Sequence, residues 1–142
     1  MTSGLHGEPS LWSRTSPAVS AAPVRLLTTM SARSLGLEQY VEVTGRPSCL
    51  VFLTRDAEGH QSQAFRTLFL QEMIRRGVLG QSFVISAAHS DADLDCTIEA
   101  AHRALAVYAR AIEAGTVDGL LRGRPVAPAL REFAAPRNIV HR

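Results

Sequence analysis

The sequence predicts one small α/β domain of two layers, in which helices cover one face of a small sheet. Three observations lead to this fold class. The chain has 142 residues, a length that suits a single hydrophobic core. Its composition, with 46% hydrophobic and 20% charged residues, is that of an ordinary globular protein. Segments with strand and helix character follow one another in the order strand, strand, helix, strand, helix.

The predicted strands rest on alternation and on turn signals. Residues 40–44 alternate apolar and polar side chains, as a half-buried strand does. Residues 45–47, Gly-Arg-Pro, predict a turn. Residues 48–54 have the composition of a buried strand, and residues 82–87 predict a third strand.

Two helices are predicted from apolar residues at helical spacing. The first covers residues 62–76. The second, residues 91–114, is the longest element; Ser90 and Asp93 have the spacing of a capping box at its start, and Gly115 ends it. The apolar stripes are Phe65, Leu68, Phe69 and Met73 in the first helix, and Leu94, Ile98, Ala101, Leu105, Tyr108 and Ile112 in the second.

The sequence changes character near residue 34. Residues 1–34 are rich in Ser, Thr, Pro and Ala, and they show no sustained helical or strand period. Three prolines, of which Pro23 is the last, would interrupt a helix. We therefore expect residues 1–34 to be a poorly ordered extension that folding does not need. The domain is expected to span residues 35–142, with a short helix at residues 128–133.

Charge and cysteine content exclude several classes of function. All 15 basic residues are arginine, and the chain contains no lysine. Schiff-base chemistry, the pyridoxal-phosphate anchor and the Walker phosphate loop all need a lysine that this chain lacks. The 13 acidic residues are interspersed with the arginines, which disfavours nucleic-acid binding. The longest apolar runs, such as residues 49–53, are too short to cross a bilayer. We expect a soluble, cytoplasmic protein in which Cys49 and Cys96 are reduced and buried.

Acidic and histidine residues could suggest a metal site, but no pattern is complete. Asp91, Asp93 and Asp95 are spaced like the start of a calcium loop whose later glycine and glutamate are missing. Their position in the first turn of a helix explains them, since the helix dipole favours anions there. His60, His89 and His102 match no zinc-binding spacing. For His89 we favour a hydrogen-bonded residue between a strand and a helix.

The candidate nucleophiles and anion-binding residues also lack part of the pattern that their chemistry needs. Cys96 has no basic activator nearby in sequence, and Ser86 lies in no nucleophile elbow. Arg66, Arg75 and Arg76 could bind a carboxylate or a phosphate, but the last two have a sufficient role at a helix end. We assign no catalytic, cofactor-binding or metal-binding residue.

Three stretches of the sequence carry a likeness to a known family. The first is residues 42–56, a Glu-Val-Thr-Gly-Arg-Pro-Ser run that leads into a Cys-Leu-Val-Phe-Leu-Thr-Arg-Asp strand. The second is residues 65–79, with Arg-Arg-Gly-Val-Leu at its end. The third is residues 83–95, a Ser-x-x-His-Ser-x-x-Asp-Leu-Asp passage from strand to helix. In this order and spacing, residues 36–137 resemble the C-terminal end of class III pyridoxal-phosphate-dependent aminotransferases, glutamate-1-semialdehyde 2,1-aminomutase and similar enzymes above all.

The resemblance implies the small C-terminal domain of a fold-type I aminotransferase. Such a domain packs on a large domain that holds pyridoxal phosphate and its lysine, in a dimeric enzyme. This chain departs from the family, because residues 1–34 do not resemble a large domain and no lysine is present. The acidic residue that aminomutase-like members often carry before the Ser-x-x-His passage has no counterpart between Gly80 and Ser86.

Two main hypotheses of function follow, and an arginine-based binder of nucleic acids or anions is a third that the interspersed acids disfavour. The chain is a fragment or remnant of a class III aminotransferase, inactive without its large domain. Alternatively, it is a catalytically silent module that binds or regulates an intact aminotransferase subunit. Either way we expect a protein partner, with a homo-oligomer as a further option, and no bound cofactor in the chain alone. Arg66, Ser86 and His89 are the candidates for the substrate side of a completed site.

Overall fold

The computed structural model describes residues 22–46 and 48–127. In chain order, this part of the protein forms α1 (Ala22–Ser34), β1 (Val41–Arg46), β2 (Cys49–Thr54), α2 (Gln63–Ile74) and α3 (Asp91–Ala114). It is a small mixed domain of helices and one antiparallel sheet, which confirms the predicted fold class. Residues 1–21 and the predicted helix at residues 128–133 lie outside the described residues. No helix of the described part has both the length and the apolar character needed to cross a membrane.

The strands β1 and β2 form an antiparallel hairpin, in which Val43 lies opposite Phe52. Burial alternates along both strands. The sequence predicted this alternation for β1, whereas β2 was predicted to be buried and instead exposes Cys49 and Val51. Val43, Leu50 and Phe52 point into the core, whereas Thr44 and Val51 point away from it. One face of the hairpin therefore packs against the helices.

The predicted third strand at residues 82–87 is wrong. Within the described residues, this segment joins the sheet only through one antiparallel bridge between Leu50 and Phe83. The Phe83 N–H donates to the Leu50 carbonyl at 2.8 Å, and the reciprocal bond is 3.0 Å. The Val84 N–H instead donates to the carbonyl of Ser82 at 3.2 Å, so the chain turns out of the sheet after the bridge. Apolar composition predicted the burial of Phe83 but not how far the backbone pairs.

The bounds of α2 and α3 follow from local capping signals. The Ser62 hydroxyl accepts a hydrogen bond from the Phe65 N–H at the start of α2. At the start of α3, Ser90 and Asp93 form the reciprocal capping box that their spacing predicted. Gly115 ends α3 in the left-handed conformation, with φ of 70°. The predicted limits of α3 are confirmed, and those of α2 are one to two residues too wide.

Residues 22–34 were expected to belong to a poorly ordered extension, but they form helix α1. Val24, Thr28 and Ala32 repeat every four residues and are at most 2% exposed, so they pack into the core. Pro23 lies in the first turn of α1, where its missing N–H would have no partner within the helix anyway. It therefore starts this helix instead of interrupting it. Helix α1 therefore supplies part of the core, and we expect residues 22–34 to contribute to the stability of the fold.

The two cysteines were expected to be buried, but both are exposed. Cys49 alternates with the buried Leu50 and therefore points to the outer side of the hairpin. Cys96 lies on the exposed side of α3, two residues after the buried Leu94.

Tyr108 connects α3 to the rest of the core. Its side chain is fully buried, and its ring packs edge-on against Phe65 of α2, with the ring centroids 5.4 Å apart. Its hydroxyl donates a hydrogen bond to the carbonyl of Arg55, just after β2. Burial raises the pKa of Tyr108, so the hydroxyl stays protonated and remains a donor.

Glu72 is a buried acid at the centre of a charge cluster on α2. Its side chain is 2% exposed, and it lies 3.1 Å from Arg75 Nη1 and 2.8 Å from Arg76 Nη1. Gln71 also donates to it, at 3.2 Å, and donates to the Leu120 carbonyl at 3.0 Å. The cluster thereby holds the segment after α3 against α2. Burial alone would raise the pKa of Glu72, but the hydrogen bonds from Arg76 and its neighbours hold it below the ordinary value.

We predict that Thr28→Val raises the free energy of unfolding by about 1 kcal/mol. The Thr28 hydroxyl is buried and has no hydrogen-bond partner in the described structure, and valine has nearly the same shape. The matched control is Thr29→Val, because the exposed Thr29 hydroxyl donates to the Arg25 carbonyl at 2.8 Å. Urea unfolding measures both. If the two substitutions changed the free energy of unfolding by the same amount, the packing of α1 into the core would be contradicted.

We also predict that Glu72→Gln lowers the free energy of unfolding by about 1–2 kcal/mol at neutral pH. Because the folded-state pKa of Glu72 is lowered, its stabilisation is present above the unfolded-state pKa and is lost as the pH falls through the folded-state pKa. The difference between wild type and variant should therefore shrink in acid.

The control for this prediction is Glu99→Gln. Glu99 pairs with Arg103 at 2.7 Å across the exposed surface of α3, with more than half of both side chains accessible, so its loss should change stability far less. Urea unfolding at a series of pH values tests both. A Glu72→Gln difference that grows in acid would contradict the charge cluster.

Candidate functional site

The site is a cleft between the segment that follows α2 and the first turns of α3. It has a volume of about 360 Å³. One wall consists of residues 77–79 and 82–85, and the other is formed by His89, Asp93, Cys96 and Thr97. The bridge between Phe83 and Leu50 fixes the first wall to the sheet, and the capping box fixes the second. The cleft thus lies at the passage that carries the Ser-x-x-His pattern.

Ser86 and His89 are brought into direct contact at the margin of this cleft. The Ser86 N–H donates to His89 Nδ1 at 3.1 Å, and the Ser86 hydroxyl oxygen lies 3.1 Å from the same nitrogen. The Ser86 carbonyl oxygen lies 3.3 Å from the same nitrogen, so the tautomer of the ring decides whether Nδ1 accepts or donates in this turn. The His89 N–H donates to the Ser86 carbonyl at 3.1 Å and closes the turn.

This pair lacks what a nucleophilic serine requires. An activated serine needs a histidine base that a third group, usually a carboxylate, holds in place. Asp93, the acid that lines the cleft, is engaged elsewhere, because both the N–H and the hydroxyl of Ser90 donate to its Oδ2 at 2.7 Å. The arrangement instead presents an imidazole ring and a serine hydroxyl at an open surface.

Asp93 gives the cleft a negative charge. The hydrogen bonds from the Ser90 N–H and hydroxyl lower the pKa of Asp93, and nearby His89 lowers it further by a smaller amount. Asp91 and Asp95 do not join it, since side chains two positions apart on a helix do not face each other. The three acids therefore do not converge on one point as calcium ligands do.

Arg66 lies away from the cleft and binds the backbone. Its guanidinium donates to the carbonyls of Phe52 and Gln81, both at 3.3 Å, and lies 5.0 Å from the centroid of the Phe52 ring. These contacts tie α2 to β2 and to the segment before the bridge. The structure thus brings together Ser86 and His89 of the predicted residues, and it places Arg66 in a different position.

Two exposed apolar side chains line the cleft, and a third lies at the end of the helix that precedes it. Leu79 is 82% exposed, Val84 is 57% exposed, and Ile74 at the end of α2 is 54% exposed. Leu79 and Val84 line the cleft itself. Grouped exposed apolar side chains beside polar groups are typical of a surface that another protein covers. We call Ile74, Leu79 and Val84 the apolar rim.

A second cluster, which the sequence analysis missed, lies in the loop between β2 and α2. Ligand atoms of Asp56, Glu58 and His60 lie within 4.8 Å of one another. The Asp56 carboxylate accepts hydrogen bonds from the N–H groups of Glu58 and His60, at 3.1 and 2.9 Å. These hydrogen bonds hold the loop in its conformation, and this explains why the three side chains lie close together. Its only signal in the sequence is three such residues at alternate positions.

Comparisons of the chain with protein-family models, with curated proteins and with solved structures give no match. The likeness to class III aminotransferases therefore depends on the three stretches of sequence described above. The cleft, the Ser86–His89 contact and the apolar rim are properties of this chain itself.

Proposed function

We propose that this chain is the C-terminal small domain of a class III pyridoxal-phosphate-dependent aminotransferase, similar to glutamate-1-semialdehyde aminomutase. In this proposal it is a fragment or remnant that is inactive alone. It functions by docking on a large domain that supplies the lysine and the cofactor pocket. Ser86 and His89 then lie on the substrate side of the completed site.

The apolar rim is the observation that carries this proposal. The stretch of sequence that resembles the family's strand-to-helix passage forms an open cleft, and Leu79 beside it is 82% exposed. Apolar side chains of this size contribute about 1.5–3 kcal/mol each when they become buried. A large domain that covers the rim would bury Leu79 and Val84 and would bring its own residues up to His89.

Pyridoxal phosphate does not fit this chain alone. The chain has no lysine to hold the cofactor covalently. Among the described residues that line the cleft, Asp93 is the one charged side chain apart from the titratable His89, and its carboxylate would repel the cofactor phosphate. No step of a reaction is therefore assigned to these residues. The proposal includes a cytoplasmic location, where the exposed Cys49 and Cys96 would remain reduced.

We predict that the chain binds a class III aminotransferase whose own C-terminal small domain has been deleted. On mixing with pyridoxal phosphate, the pair should show a visible absorbance band that resists dialysis and disappears with an amino donor, together with keto-acid formation. The chain alone should show none of the three, because it has no lysine. Leu79→Asp together with Val84→Asp should weaken binding of the partner at least about tenfold, since burying a charge without a partner is costly.

The control is Leu26→Asp together with Met30→Asp, which adds the same two charges at exposed apolar side chains of α1. It should leave binding of the deleted enzyme unchanged. Turnover by the chain without a partner would overturn the proposal. Binding to an intact aminotransferase in preference to the deleted one would favour a regulatory module instead.

A further inference from the structure

We propose that Asp118 is a site of spontaneous covalent modification, at which its peptide bond to Gly119 passes through a succinimide to an isoaspartyl linkage. Both residues are exposed and lie in the turn that follows α3. The sequence contains one Asp-Gly pair, and it is this one. The inference concerns the chain itself and does not depend on the proposed function.

The turn leaves both reacting groups free. It is closed by the N–H groups of Leu120 and Leu121, which donate to the Val117 carbonyl at 3.0 and 2.9 Å. Within the part of the chain that the structure describes, neither the Gly119 N–H nor the Asp118 carboxylate takes part in a hydrogen bond or an ion pair. The amide nitrogen and the carboxylate that must react are therefore not held by other groups.

The conformation of the turn also requires a glycine after the aspartate. Gly119 has a φ of 73°, in the left-handed region that glycine adopts without strain. A Cβ at this position would meet no atom within 4 Å, so nothing crowds the residue that supplies the nucleophile. By contrast, the carboxylates of Asp56 and Asp93 accept hydrogen bonds from backbone N–H groups. The turn thus combines the least hindered amide nitrogen with a free carboxyl group.

The reaction needs no reagent other than water. The Gly119 nitrogen attacks Cγ of Asp118 and forms a C–N bond, and one carboxyl oxygen leaves as water with the carboxyl proton and the amide proton. A water molecule then adds to one of the two carbonyl carbons of the succinimide and breaks its bond to nitrogen. If that carbon is the backbone carbonyl of Asp118, the chain continues through Cβ and Cγ, and the former backbone carbonyl becomes a free carboxylate. Mass and oxidation state are unchanged overall.

The modification changes the contact between this turn and α2. The isoaspartyl linkage lengthens the backbone by one methylene group, inside the stretch that the two hydrogen bonds to Val117 span. The residues that follow are held against α2 by Gln71, which donates to the Leu120 carbonyl at 3.0 Å and accepts from the Arg122 N–H at 2.8 Å. A longer backbone displaces these partners from Gln71, so the modified chain should be less stable than the original one.

The test is prolonged incubation of the folded full chain at neutral pH in water enriched with heavy oxygen, followed by digestion with trypsin. Cleavage after arginine releases residues 111–122, in which Asp118 is the one aspartate. A second form of this peptide should accumulate, with one heavy oxygen atom and a carboxylate that an isoaspartyl methyltransferase methylates. Its rate of formation should lie within about tenfold of that in the free synthetic peptide, which corresponds to at most about 1.4 kcal/mol of protection by the fold. Peptides that contain Asp56 and Asp93 should stay unlabelled.

Two variants connect the modification to stability. Asp118→Glu keeps the charge but would need a larger imide ring that forms far more slowly, so it should show no second form. Asp91→Glu, the matched control, changes an exposed aspartate that precedes an alanine and should leave the reaction unchanged. After incubation, wild type and Asp91→Glu should unfold at a lower urea concentration than before, whereas Asp118→Glu should not.

Three results would overturn the proposal. The first is a folded chain without isoaspartate under conditions in which the free peptide forms it. The second is a new form of the peptide that carries no heavy oxygen. The third is an equal loss of stability in wild type and Asp118→Glu.

Discussion

The rest of the structure depends on the contacts that the buried side chain of Tyr108 makes. Its ring packs against Phe65 of α2, and its hydroxyl bonds to the Arg55 carbonyl at the end of β2. Helix α3 is thereby fixed to both α2 and the hairpin. With the hairpin in place, the bridge to Phe83 sets the position of the segment that faces the start of α3. A hydroxyl buried without a partner would cost about 1–3 kcal/mol, so the core requires this geometry around Tyr108.

Two surfaces of different character result from this arrangement. At the cleft, a serine, a histidine and an aspartate lie among exposed apolar side chains, and the polar groups are oriented by the turn and by the helix cap. At the groove between α1 and β1, the arginines of α1 lie opposite Glu38 and Glu42. The first surface offers chemistry that is incomplete, and the second carries side chains of both charge signs. If a partner domain covers the first surface, as proposed, it buries the exposed Leu79.

Local signals made much of the fold predictable, and tertiary contacts explain what was missed. Ser90, Asp93 and Gly115 determine the ends of α3 within a few residues of sequence, and the Ser86–His89 contact also spans only three positions. Helix α1 was missed because its buried face consists of Val24, Thr28 and Ala32, whereas the larger Leu26 and Met30 point outward. The prediction of a third strand was wrong because backbone pairing depends on where the chain turns after Phe83. The role of Arg66 required knowing that Gln81 lies beside it in space.

The central claim is that the cleft becomes complete only when another domain covers it. Hydrogen–deuterium exchange of the chain, with and without a class III aminotransferase lacking its small domain, tests this most directly. The chain concentration is kept equal in both samples. The account predicts slower exchange at the backbone N–H groups of residues 77–90 in the mixture, and unchanged exchange in α1 and β1. Unchanged exchange at residues 77–90, or protection confined to α1 and β1, would contradict it.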